Sequence, residues 1–138
     1  MVAPAAKFSI HGLSVHYGRH CVLRDLNLEI LANEIFTVIG PANSGKTTFL
    51  HALNRLVDLV PTARCSGEIR LDGVDIRGGM EVEALRRRVG IVFALPLPLP
   101  LSIYENVVYG LRMQGIRDQR FLDAAVERSL SESYLWEE

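Results

Sequence analysis

Residues 38–50 read VIGPANSGKTTFL. Gly40, four residues, then Gly45, Lys46 and Thr47 fit the pattern G-x-x-x-x-G-K-[ST]. Glycines let a backbone curl until successive N–H groups face one concavity. A helix beginning near Gly45 adds the partial positive charge of its N-terminus. Such a cup takes the phosphates of a nucleotide. Lys46 then reaches the β- and γ-phosphate oxygens as a point charge. The Thr47 hydroxyl can ligate Mg²⁺, an ion that takes few protein oxygens and keeps its waters. The plainer alternative is a glycine-rich turn ahead of an ordinary helix. The flanks favour the phosphate loop. EIFTVIG (34–40) is a short continuous apolar run, the pattern of a strand buried on both faces. After Lys46, apolar residues fall at Phe49, Leu50, Leu53, Leu56 and Val57, a helical spacing.

Outward from the loop, KFSIHGLSVHYG and VLRDLNLEI alternate apolar and polar positions, as half-buried strands do. Phe8, Ile10, Leu13, Val15 and Tyr17 form one series, with a slip at Gly12; Leu23, Leu26, Leu28 and Ile30 form another. GEIRLDGVDI reads as a hairpin around Asp72-Gly73. EVEALRRR is a short helix candidate. Ser102 and Glu105 make a capping box ahead of Val107, Val108 and Leu111. Asp118–Leu130 is a further helix, with Phe121, Leu122, Ala125 and Val126 expected inward.

Composition bounds the function. The 138 residues suffice for one domain with a sizeable core. A net charge of −1 gives no general attraction to nucleic acid or anionic lipid. No apolar run reaches transmembrane length, and the start MVAPAAKFSI does not read as a secretory signal. Cys21 and Cys65 stand far apart in no CxxC pattern and read as free thiols. His16 and His20 are four apart, a ligand spacing on a helix, but this stretch reads as strand and turn, so exposed histidines are the reading taken. Arg86, Arg87 and Arg88 read as a solvated helix face balanced by Glu81 and Glu83. Trp136 reads as a core or interface residue of a helix.

VFALPLPLPLSIYENV (92–107) places Pro96, Pro98 and Pro100 at alternate positions. Proline removes a backbone donor and fixes φ, so this is no strand or helix interior. The run Val89–Phe93 leads in as a strand candidate, and the capping box leads out.

Four stretches together resemble the nucleotide-binding subunit of ABC transporters: LSVHYGRHCVLRDLNLEI, GPANSGKTTFLHALNRLVDLVP, GEIRLDGVDI and RRRVGIVF…PLPLPLSIYENVVYGLR. FLHALNRLVDL and PLSIYENVVYGLR are similar to the bacterial phosphate-import ATP-binding branch. The likeness runs from about Phe8 to Gly115. It implies an α/β P-loop NTPase fold of the ABC type. Its N-terminal part would hold an antiparallel β subdomain, the P-loop strand and helix, and the start of the helical subdomain. Residues 1–138 would then be a partial nucleotide-binding domain, incomplete at the C-terminus, with apolar edge and face left open.

The resemblance also implies roles. Tyr17 would stack on adenine, though a strand-end tyrosine packing on the core fits the pattern equally. Gly40, Pro41, Ala42, Asn43, Ser44, Gly45, Lys46, Thr47 and Thr48 would bind the phosphates of ATP, with Thr47 on Mg²⁺. Leu97, Leu99, Leu101 and Tyr104 would dock a permease helix, the prolines holding the segment extended; a crossover loop packing on its own domain is the alternative. The implied partners are membrane permease subunits and a second nucleotide-binding subunit, with no nucleic acid. The implied place is the cytoplasmic face of the inner membrane, peripherally bound.

Two departures stand out. The family's glutamine, which contacts Mg²⁺ and the attacking water, is replaced by Ala94. The sequence also contains no LSGGQ-type signature, no apolar run ending in Asp followed by a catalytic Glu, and no switch His; SLSES near the end lacks both glycines. No residue can be named as general base. Two readings therefore stay open: an ATP-driven importer subunit, most similar to the phosphate-import type, and a module that binds ATP–Mg²⁺ without turnover.

Overall fold

The slip at Gly12 is a β-bulge. β1 (Ala6–Tyr17) pairs antiparallel with β2 (His20–Leu31) on one side and β3 (Ala63–Leu71) on the other. Side chains alternate along a strand, so an unbroken β1 would turn Leu13 and Val15 away from Phe8 and Ile10. The register shifts between Ile10 and Leu13, and all four side chains end up buried on one face. A second shift, between Leu13 and Val15, matches the offset from Leu26 to Leu23 on β2. The bulge amides are satisfied by side chains: Asn27 Oδ1 accepts from the Gly12 N–H at 2.8 Å, and Ser14 Oγ accepts from the Asp25 N–H at 2.9 Å. A Cβ at Gly67 would lie 2.4 Å from the Gly12 carbonyl oxygen, and Gly67 has φ +88°, so the crossing accepts only glycine.

The computed structural model describes residues 5–95 and 97–137, in two compact units, Met1–Val92 and Phe93–Glu138. In the first, the sheet has the order β2-β1-β3-β4. β4 (Val74–Asp75) returns from β3 through Asp72 and Gly73, both at positive φ, as a tight hairpin turn requires. Asp72 ties the turn down through ion pairs with Lys7, at 2.9 Å, and with Arg88. Phe8, Ile10, Leu13, Val15, Ile69 and Leu71 of the sheet pack with Phe49, Ala52 and Leu53 of α1 (Lys46–Leu53). Val57 of a 3-10 turn (Leu56–Leu59), Ile76 and Leu85 of α2 (Val82–Arg88) complete that core.

The helix expected to run to Val57 stops earlier. Asn54 caps α1, and Arg55 takes a left-handed backbone conformation, φ 60°. Arg55 donates to Asp58 at 2.8 Å and to the Ile76 carbonyl, while its own carbonyl accepts from Arg86. Val57, beyond the break, is buried in the core, while Leu50, within α1 and expected inward, is exposed. The solvated arginine face is corrected in part: Arg87 and Arg88 are exposed, but Arg86 is not. Arg86 is half-buried, donating to the Asn54 and Arg55 carbonyls, and Arg88 pairs with Asp72 instead of a neighbouring glutamate.

Two expected strands are absent. Residues 35–40 have no regular structure, with Ile35 96% and Ile39 88% exposed. Residues 90–93 likewise have none, and Val92 is 97% exposed. β-Branched, apolar sequence gives strand propensity, but a strand exists only by pairing. Among the described residues nothing pairs with either segment.

In the second unit, α3 (Ile103–Met113) and α4 (Gln119–Glu132) bury Val108, Leu122 and Val126 between them. The capping box forms as expected: Ser102 Oγ accepts from the Glu105 N–H, and the Glu105 carboxylate accepts from the Ser102 N–H, both at 3.1 Å. Asp118 caps α4 through the Arg120 N–H at 3.0 Å. Phe121, expected inward, is half exposed. Trp136 lies in a turn beyond α4, also half exposed. Of the proline segment, Pro96 lies outside the described residues; Leu97, Leu99 and Leu101 are exposed.

Candidate functional site

The loop ahead of α1 is held by its own lysine. Lys46 Nζ donates to the Gly40 carbonyl at 2.9 Å and the Pro41 carbonyl at 2.5 Å, and lies 3.4 Å from Ser44 Oγ. The long side chain thus closes a ring over residues 40–46. Asn43 and Gly45 both have positive φ, 61° and 92°. Backbone turned this way presents amides to one side of the loop. Asparagine tolerates that conformation because its short polar side chain bonds locally; glycine has no Cβ to object.

Gly45 is required twice over. A Cβ there would meet Leu23 Cδ2 at 2.9 Å, with Val22 Cγ1 and the Val22 carbonyl oxygen at 3.2 Å. The loop is therefore pressed against β2, and any larger residue would push it off. Helix α1 begins at this glycine with no side-chain cap and no acidic residue in its first turn. Its first backbone bond runs from the Phe49 N–H to the Gly45 carbonyl at 2.8 Å. The orphan amides and the positive end of the helix are left facing a cleft.

That cleft, about 300 Å³, is lined by residues 43–48 together with His20 and Val22 of β2. It holds one ammonium group, two threonine hydroxyls and no carboxylate. This donor set suits a polyanion and would repel nothing about it. Thr47 offers a hydroxyl for Mg²⁺. Among the described residues no group of three or more His, Cys, Asp or Glu is placed to hold a metal, so a magnesium ion at Thr47 would rely on phosphate and water for its other ligands. The two larger cavities, about 720 and 500 Å³, flank residues 36–38 and are walled mainly by apolar side chains of the sheet and α1. Residues of the candidate loop line both as well: Lys46 and Thr47 the larger, Gly40, Pro41, Ser44, Gly45 and Lys46 the smaller.

The remaining candidates fall in different places. Tyr17 is half-buried against the sheet core; it does not line the phosphate cleft, whereas its register partner His20 does. His20 was not singled out from the sequence as a cleft residue. The signal was present: a two-residue turn at Gly18-Arg19 pairs position 20 with position 17. In the second unit, the Tyr104 hydroxyl donates to Asp123 at 2.7 Å and accepts from Gln119 at 2.8 Å. The Asp123 carboxylate, by accepting that bond, holds the phenol above its ordinary pKa. Tyr104 thus ties α3 to α4, and its tip is already engaged.

Asn106, also not foreseen, organises the proline segment. Its Oδ1 accepts from the Leu99 N–H at 2.8 Å, and its Nδ2 donates to the carbonyls of Leu99, Leu101 and Ser102 at 3.0–3.1 Å. An asparagine inside a helix is disfavoured unless its amide has other work, which was the available signal.

A family model described as ABC transporter matches residues 23–135. The match takes in the phosphate loop, the β3–β4 hairpin and both helices of the second unit. Domains of this family have the P-loop NTPase fold, bind ATP, generally with Mg²⁺, and work with membrane permease subunits. Among the described residues no helix is long and apolar enough to cross a membrane.

Proposed function

Because the chain belongs to the ABC transporter family as an ATP-binding subunit, we propose that it serves an importer of inorganic phosphate. It binds ATP–Mg²⁺ through residues 40–48, with Thr47 on the metal and Tyr17 at the adenine. The observation that carries the nucleotide reading is the uncapped start of α1, facing a cleft with one ammonium group and no carboxylate. The phosphate branch is supported by the likeness of FLHALNRLVDL and PLSIYENVVYGLR. Leu97, Leu99 and Leu101 form the contact with a permease helix; they are exposed on a segment held by Asn106. Tyr104 contributes its ring edge only. The subunit pairs with a second copy and sits peripherally on the cytoplasmic face of the membrane.

A second reading has its own support: Ala94 stands where the family resemblance implies a metal-contacting glutamine. On that reading the chain binds ATP–Mg²⁺ without turnover. Labelled phosphate uptake in cells deleted for their own phosphate-import ATPase subunit tests the first reading. Restored uptake supports it. Tight ATP binding with neither uptake nor phosphate release selects the second.

A further inference from the structure

A cavity of about 250 Å³ opens where the start of β3 meets the 3-10 turn at Leu56–Leu59. Its lining includes three arginines, Arg55, Arg64 and Arg77, and a single carboxylate, Asp58. Three positive charges against one negative leave an excess of two. Cys65 lines the cavity as well. Burial, opposed by the nearby Arg77, pushes its thiol above the ordinary pKa, so near neutral pH it adds no negative charge. The cavity shares no lining residue with the cleft at 43–48, and its character does not depend on whether that cleft binds ATP.

The three guanidinium groups are held in place without being used up. Arg55 Nε donates to one oxygen of Asp58 at 2.8 Å, and the other oxygen lies 4.0 Å from Arg77. Arg77 donates to the Cys65 carbonyl at 2.6 Å, and Arg55 to the Ile76 carbonyl at 3.3 Å. Arg64 donates from one nitrogen to the Pro61 and Ala63 carbonyls, at 3.3 and 2.9 Å. Each guanidinium carries more N–H donors than these bonds use. Arg55 and Arg77 are half-buried, where water screens charge less than it does in the open. Carbonyl capping accounts for Arg86, which donates to the Asn54 and Arg55 carbonyls and does not line the cavity. It leaves the lining arginines with spare donors and unbalanced charge. A guanidinium fork matches the oxygens of a phosphate group. A water's share of liquid volume is about 30 Å³, so the cavity has room for such a group and several waters.

We propose that this cavity binds a phosphate dianion, held by Arg55, Arg64 and Arg77, with Asp58 setting the spacing of the guanidinium groups. The phosphate can arrive as the free ion or as the ester of a small molecule. The test is a nuclear magnetic resonance titration of the full chain with inorganic phosphate, glycerol phosphate or chloride at matched ionic strength. Arginine Nε–H signals report this cavity, and the Gly45 and Thr47 amides report the phosphate loop in the same spectra. Phosphate should shift the Arg55, Arg64 and Arg77 signals to saturation, and chloride should not. The tighter of the two phosphate probes identifies the source. Arg64→Ala removes one charge-assisted contact and should raise the Kd about tenfold, read at Arg55 and Arg77. Asp58→Asn removes the carboxylate but keeps an acceptor for Arg55, and should lower the Kd about three- to tenfold. Arg64 is exposed and bonds only to near neighbours in the chain, so its alanine variant should melt with the parent. Arginine signals that follow chloride as closely as phosphate, or that move only in step with Gly45, overturn the site. A Kd that either variant leaves unchanged overturns it equally.

Discussion

Helices α1 and α3 start in opposite ways. α3 satisfies its own first turn: Ser102 and Glu105 exchange hydrogen bonds, and a carboxylate sits where the helix is most positive. α1 starts on a left-handed glycine with no side-chain cap and no acid in the first turn. Both segments read as helices, and both fold as such. The difference lies in who supplies the anion. A helix end that caps itself is a structural joint, whereas one that leaves its amides open beside a cleft has donors that an anion can use.

Each half of that contrast can be attacked. The largest effect should come from Lys46→Ala. It removes the cleft's ammonium group, and charge-assisted bonds of this kind should make ATP–Mg²⁺ binding about 10- to 100-fold weaker by calorimetry. Gly45→Ala comes next. It forces alanine into φ 92° and a Cβ toward Leu23 at 2.9 Å. The first unit should lose about 2 kcal/mol, read in urea melts, and nucleotide binding should fall with it. Thr48→Glu makes α1 resemble α3 by adding an acid to the first turn. Stability should rise by about 0.3–1 kcal/mol while ATP affinity drops about tenfold. If the two moved in the same direction, the contrast between the helix starts would lose its meaning.

The mirror change is smaller. Ser102→Ala should cost the second unit about 1 kcal/mol and leave nucleotide affinity untouched. The weakest effect is a pH dependence. The Ser102 backbone N–H, and then its hydroxyl, hold the Glu105 carboxyl below its ordinary pKa. A depressed carboxylate contributes stability that is present above the ordinary value, about pH 4.3, and lost as pH falls through the folded one. The helical signal of the parent should therefore weaken on acidification from pH 6 to pH 3 more than that of Glu105→Gln. Equal acid responses would remove the capping carboxylate from the account.

Much of this was legible in the residues. The two N-terminal strands, the hairpin at Asp72-Gly73, the capping box and the loop at 40–47 are local patterns, each read from neighbouring residues. The bulge was legible as a break in alternation at Gly12, although only the structure shows Gly67 as its counterpart on the next strand. EIFTVIG was misread for a physical reason. Its composition favours a strand, but pairing is a property of neighbours, and the described residues supply none. The end of α1 was missed because apolar spacing continues through Leu56 and Val57, while the turn at Arg55 is held by Asp58, Ile76 and Arg86, contacts invisible to periodicity. His20 and Asn106 were overlooked for the same reason: each acts on backbone or space that only pairing and capping bring near.

The crossing of Gly12 and Gly67 has a consequence for how the sheet assembles. A carbonyl oxygen of β1 occupies the volume where a side chain of β3 would stand, so the two strands fit like a key and its ward. Sliding β3 by one residue in either direction would bring Ser66 or Glu68 to that oxygen, and each carries the Cβ that the space refuses. β1 and β3, far apart in the chain, are therefore held in register by a hard contact as well as by pairing, and β1 in turn carries β2, the strand against which the loop at 40–47 rests.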